Sequence, residues 1–174
     1  MSQPTASDGT HTHLFLRLPP PPSHCAPTMS DTHAKQLENA HAFLKHLNAL
    51  DWTPLADLMS PDFRHQYLPA SIIPPDGKED RGKEEFIGVL KYNLEIVFEK
   101  VTYLPPTDVI HGSNAVVFHL KSDGMSKSGK KYNNEYMVTF HFDGEKIVKL
   151  NEFVDSKYSS AYFTALRAES APVA

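Results

Sequence analysis

The sequence predicts an α+β domain: a cone of curved antiparallel sheet wrapped on three N-terminal helices, closed by a short C-terminal helix. Three observations predict it. After residue 30 apolar residues recur at helical spacing, and past Glu99 the pattern changes to period two. Asp143-Gly144 lies between two alternating runs, which is a hairpin signal. Both runs grow more polar with distance from that turn, the pattern of a sheet packed at one end and lining a pocket at the other.

The elements follow in order. Ser30 or Asp31 can cap a first helix carrying Leu37, Ala40, Phe43 or Leu44, and Leu47 on one face, ending near Ala49. Asp51 can cap a short second helix, Trp52 to Met59, with Pro54 in its first turn and Ser60-Pro61 as its stop. Phe63–Leu68 alternates like a strand. Pro69–Gly77 holds three prolines and a glycine and reads as a loop, and its Ile72 and Ile73 suit a lid. The third helix covers Lys83–Phe98 with Phe86, Leu90, Leu94 and Val97 along one stripe. Strands are expected at Lys100–Leu104, Asp108–His111, Ala115–Ser122, Lys131–Phe142 and Lys146–Val154, with Asp123-Gly124 as a further turn. A last helix spans Lys157–Arg167.

The domain is therefore placed at residues 30–168, with a disordered tail at 1–29 and a short disordered end at 169–174. Pro19 to Pro22 favour an extended polyproline stretch in the tail. Met29, followed by Ser30-Asp31, offers a second translation start. The apolar Leu14-Phe15-Leu16 is broken by Arg17, too short for a secretory signal.

Among 174 residues, Lys plus Arg number 17 and Asp plus Glu 21, a formal charge of −4. That balance gives no footprint for nucleic acid or an anionic membrane. Cys25 is the single cysteine, so no intrachain disulfide forms, which fits a cytoplasmic protein. The histidines lack partners at ligand spacing, so neither a metal nor another cofactor is expected.

Five positions on the inner strand faces, and a sixth beside them, carry the candidate chemistry. Glu152 shares a face with Val148, Leu150 and Val154, and an ionised carboxylate there is costly unless bonded, neutralised or used. Such a carboxyl can act as a general acid or base. The alternatives are a bulge that turns it outward, or a nearby basic partner. His65, between Phe63 and Tyr67, can carry a proton or orient a substrate oxygen; the alternative is a core histidine bonded to backbone. Tyr132, Asn134 and Tyr136 share one strand face and can bind a ligand carbonyl, with Tyr67 beside His65 as a further binding residue. On the opposite face Met137, Thr139, His141 and Phe153 form a partly apolar surface that suits a homodimer. No lysine or arginine is expected on the pocket face.

Three stretches, taken together, resemble one family. His65-Gln66-Tyr67-Leu68-Pro69-Ala70-Ser71-Ile72 followed by Pro74-Pro75, then Asn134-Glu135-Tyr136-Met137, then Lys146-Ile147-Val148 with Glu152-Phe153-Val154-Asp155-Ser156, are similar in order and spacing to fungal SnoaL-like proteins. These belong to the nuclear-transport-factor-2-like, or ketosteroid-isomerase-like, superfamily. The resemblance covers roughly Asp31 to Leu166. It implies a cone fold, often dimeric, and a cofactor-independent isomerase, cyclase or dehydratase acting on a hydrophobic polycyclic small molecule in secondary metabolism. It places Glu152 at the family's acidic residue and His65, Tyr132 and Tyr136 at pocket positions. The pattern departs at one place: some members carry arginine just before the His-Gln element, near Met59, where this chain is apolar. A non-catalytic small-molecule binder or dimerisation module is the competing reading, because the fold hosts both.

Overall fold

In the computed structural model, which describes residues 31–73 and 77–170, the elements run α1 (Asp31–Ala49), α2 (Trp52–Asp57), β1 (Met59–Leu68), β2 (Asp80–Gly82), α3 (Lys83–Lys91), β3 (Phe98–Tyr103), β4 (Asp108–His111), β5 (Ala115–Ser126), β6 (Lys131–Tyr132), β7 (Glu135–Asp143), β8 (Lys146–Val154) and α4 (Ser156–Ser170). The Pro-rich tail, the start at Met29, the C-terminal end past residue 170 and positions 74–76 of the proline loop lie outside the described residues. No helix among them is long and apolar enough to cross a membrane.

The strands form one sheet in the order β2-β1-β8-β7-β5-β3, with β4 and β6 also paired to β5. Every pairing from β3 to β8 is antiparallel, as the alternating runs imply. β1 runs parallel to β8, so the sheet is mixed rather than wholly antiparallel. A parallel neighbour needs a long crossover, and here the whole intervening chain supplies it. α1 buries Gln36, Ala40, Phe43, Leu44 and Leu47. Phe43 meets Phe140 edge-on at 5.3 Å, and Phe118 meets Phe140 likewise at 5.3 Å. These rings, with Phe63, Phe86, Leu55 and Ile147, close one end of the cone; each such side chain contributes about 1.5–3 kcal/mol on burial.

Five local readings are corrected. β1 begins at Met59, ahead of the expected stop at Ser60-Pro61. Pro61 falls where the register with β8 shifts, so its missing N–H removes no ladder bond. Asp123-Gly124 is not a turn but lies inside β5. A Cβ on Gly124 would stand 2.7 Å from the Lys100 carbonyl oxygen, so the glycine serves a close approach of β3. The expected strand Lys131–Phe142 is broken at Asn133-Asn134 into β6 and β7. Asn134 there donates its N–H to Ser122 Oγ (3.2 Å), outside the regular ladder. Val148 does not share the inner face. The β7–β8 register passes from His141↔Lys149 to Phe142↔Ile147, leaving Val148 as the extra residue of a bulge and turning Ile147 inward. The third helix keeps its stripe, but its last turn, Tyr92–Val97, widens to a π-helix. The hairpin holds: Asp143 and Lys146 pair across it, and Gly144 takes a left-handed φ of +55°.

Candidate active site

The site grows from three adjacent strands. On β8, Leu150, Glu152 and Val154 all point inward, as their alternation requires, because the bulge at Val148 lies before them. On parallel β1 the register sets His65 beside Leu150 and Tyr67 beside Glu152. On edge strand β2, Arg81 is the register partner of His65. Antiparallel β7 places Val138 on the other side of Glu152.

Glu152 is 8% exposed, and His65 is fully buried. His65 Nε2 stands 3.3 Å from Glu152 Oε2. His65 Nδ1 is buried with no hydrogen-bond partner. An N–H on Nδ1 would need an acceptor it does not have, so the geometry fits the tautomer whose Nε2–H donates to the carboxylate. Phe86 stacks on the imidazole at 4.4 Å and Tyr67 meets it edge-on at 4.6 Å, which fixes the ring.

In front of this pair lies a cavity of about 500 Å³. Glu152, Tyr67, Tyr103, Tyr132 and Tyr136 form its polar wall; Leu90, Leu94, Phe98, Val101 and Val154 form its apolar wall. Ile72 and Ile73 line it too, beside Ser159, Ser160, Phe163, Thr164 and Arg167 of α4. α4 starts there because Asp155 caps it, accepting the Tyr158 N–H at 3.0 Å.

The hydroxyls form a chain. Ser122 Oγ lies 3.2 Å from Tyr136 Oη, and Tyr136 Oη 3.0 Å from Tyr132 Oη. Asn134 Nδ2 donates to Tyr132 Oη (3.1 Å) and to Ser159 Oγ (2.8 Å). Burial pushes the Tyr132 phenol up to about 12 against the pull of its bonds to Tyr136 and Asn134. Burial, then the Glu152 carboxylate, holds Tyr67 and Tyr103 well above the ordinary phenol range. Burial does the same to Tyr136, helped by Tyr103, Tyr132 and Glu152. These phenols therefore stay protonated at neutral pH and act as hydrogen-bond donors.

Of the six residues singled out from sequence, the structure brings all into one cluster, in two layers. Glu152, Tyr67, Tyr132 and Tyr136 face the cavity. His65 and Asn134 stand behind it, one holding Glu152 and the other Tyr132. Glu152 is not turned outward by the bulge, and its partner is a histidine, not a lysine or arginine. The expectation that the pocket face carries no lysine or arginine is overturned: Arg81 and Arg167 both line the cavity. Arg81 escaped notice because a three-residue edge strand carries no readable period. Tyr103 lay within an expected strand, and its alternation with Val101 was the available signal. No three His, Cys, Asp or Glu side chains converge as a metal site among the described residues.

Helices laid in a curved sheet around a polar-walled cavity define a nuclear-transport-factor-2-like protein. The SnoaL-like domain model matches residues 40–150, and the chain belongs to that family. Solved structures share the fold. The BvnE pinacolase from Penicillium brevicompactum is 21% identical, with a TM-score of 0.68, over 82% of this chain and 100% of that one. PrhC from Penicillium brasilianum is 14% identical, with a TM-score of 0.70, over 80% of this chain and 93% of that one. IdmH from Streptomyces antibioticus, a putative polyketide cyclase, is 15% identical, with a TM-score of 0.63, over 74% of this chain and 98% of that one. No curated protein matches the chain.

Proposed function

We propose that the protein is a cofactor-independent isomerase or cyclase that moves protons on a hydrophobic polycyclic small molecule. The observation that carries this reading is the Glu152 carboxyl, held by buried His65 at 3.3 Å and presented to a tyrosine-walled cavity. Glu152 takes a proton from a carbon next to a substrate carbonyl. The C–H electron pair becomes the enolate C=C as the carbonyl π pair moves onto oxygen, and tyrosine hydroxyls donate to that oxygen. Where a neighbouring double bond extends the enolate, the proton returns at its γ carbon, shifting the double bond. Atoms and charge balance with no other reactant. His65 is a positioning residue, since it reaches the substrate only through Glu152. Dehydration uses the same groups, with the carboxylic acid protonating a departing hydroxyl. Family membership supports the reading, as do the names of the fold's neighbours, a pinacolase and a putative polyketide cyclase. Secondary metabolism is the setting these names suggest.

The test is solvent exchange. Polycyclic enolisable ketones are incubated with the protein in deuterium oxide, and deuterium uptake next to the carbonyl is followed by mass spectrometry. Enzyme-dependent uptake that the Glu152→Gln variant loses supports the assignment. Ketones that bind without any exchange leave the domain as a non-catalytic binder.

The outer sheet face adds a proposal about assembly. Met137 and Phe153 are register partners there, and Phe153 is 49% exposed. Two copies pairing through this face would cover both.

A further inference from the structure

Arg81 is the one cavity arginine with an enclosed nitrogen. Its Nη1 is buried and meets no hydrogen-bond partner, and the guanidinium lies 5.4 Å from the Tyr67 ring centroid. The carboxylates around it have their hydrogen bonds or closest ion pairs elsewhere: Asp80 lies 3.7 Å from Arg64 Nε, Glu85 pairs with Lys78 and feels the Arg81 charge only at longer range, and Glu152 pairs with His65. A guanidinium stays charged, and burying even its Nη1 without an acceptor is costly. The acceptor must come from what fills the cavity. A neutral carbonyl would satisfy a hydrogen bond but not the charge, whereas a carboxylate satisfies both and matches the guanidinium fork.

We infer that Arg81 is the anion anchor of this cavity and that its ligand is an apolar ring system bearing a carboxylate. The inference rests on the cavity being a ligand site, as proposed above. A carboxylate on Arg81 sits against β2 and Tyr67, and the attached rings then lie along the apolar wall of Leu90, Leu94 and Phe98 with Glu152 at their flank. Arg81 thus determines specificity and takes no part in proton transfer.

The experiment compares two fluorescent probes of nearly one shape, 2-anthracenecarboxylate and 2-anthracenecarboxamide, titrated into the full chain at neutral pH. The carboxylate is expected to bind at least roughly tenfold more tightly, the scale of a charge-assisted hydrogen bond. Arg81→Met should abolish that preference while carboxamide binding persists, weakened by no more than the one neutral hydrogen bond it loses, which also shows that the variant folds. Arg81→Lys should keep part of it, because the charge remains and the fork is lost. Equal affinity of the two probes for the wild type, failure of both to bind, or a preference that survives Arg81→Met overturns the inference. Lost preference beside intact deuterium exchange defeats the anchor alone; intact preference beside absent exchange defeats the catalytic reading alone.

Discussion

The inner face of β7 crosses two different regions of the cone. At the hairpin end Phe140 and Phe142 are buried among Phe43, Phe118 and Ile147, rings and chains with no side-chain polar atom, and the buried Gln36 beside the turn donates to the Gly144 carbonyl (2.8 Å). At the other end Tyr136, and beyond the break Tyr132, are almost equally buried, yet their hydroxyls belong to a bonded chain facing open volume. The same alternation buried both. Depth of burial therefore does not separate a core from a site; polar atoms that are satisfied beside empty space do. The comparison predicts that the two ends fail differently when altered.

The largest effect falls at the packed end. Phe140→Ala should lower the free energy of unfolding by about 3–5 kcal/mol, read by urea denaturation, because the rings around it cannot collapse into the gap. Probe affinity at the cavity should not change in the protein that remains folded. A matching loss of affinity would mean that the two ends are one unit.

At the open end the order reverses. Glu152→Gln preserves shape and should leave the melting temperature within a few degrees, while deuterium exchange falls roughly 100-fold or more. Normal exchange in this variant would return the carboxyl to a structural role.

A smaller effect is expected at high pH. Burial holds Tyr132 up at about 12 in the folded chain, against 10.0 for an ordinary phenol. Above about pH 10 the unfolded chain releases this proton and the folded chain keeps it, so the unfolded state is favoured progressively. The stability tied to Tyr132 is whole below about pH 10 and declines between there and about pH 12. Denaturation at pH 9 and pH 11 should show a decline, and Tyr132→Phe should make it shallower, the remainder coming from Tyr67, Tyr103 and Tyr136. At neutral pH that same variant should lose about 1 kcal/mol, the usual scale of a buried hydrogen bond.

The outer face gives the mildest test of the division. If Met137 and Phe153 join two copies, sedimentation at micromolar concentration gives twice the chain mass, and Phe153→Lys returns it to the single-chain mass with exchange intact. A single-chain mass in the wild type rules the pairing out.

Much of this was legible in the sequence, and the reason is periodicity. Leu150 and Val154 fixed the side on which Glu152 lies, and the run from Glu135 to Asp143 fixed Tyr136 and Phe140 on one face. The exceptions are places where geometry departs from the period. The bulge at Val148 exchanged it for Ile147, and only the register shows this. Gly124 looked like a turn residue because closeness of a neighbouring strand and a left-handed backbone both demand glycine. Arg81 sits in a strand of three residues, and its inward direction follows from pairing with His65, a contact between segments that no local pattern announces. The second layer was likewise hidden. That His65 and Asn134 hold the wall rather than form it depends on depth, which alternation does not encode.

If Glu152 and His65 act as one acid–base unit at the polar wall of the cavity, neither works without the other. A double-mutant cycle on deuterium exchange tests it most directly, with Glu152→Gln, His65→Gln and the double variant measured on one exchanging ketone. Each single variant is expected to be slow and the double variant no slower than Glu152→Gln alone, because His65 works only through that carboxyl. Losses that multiply in the double variant, or an unchanged rate in His65→Gln, would contradict it.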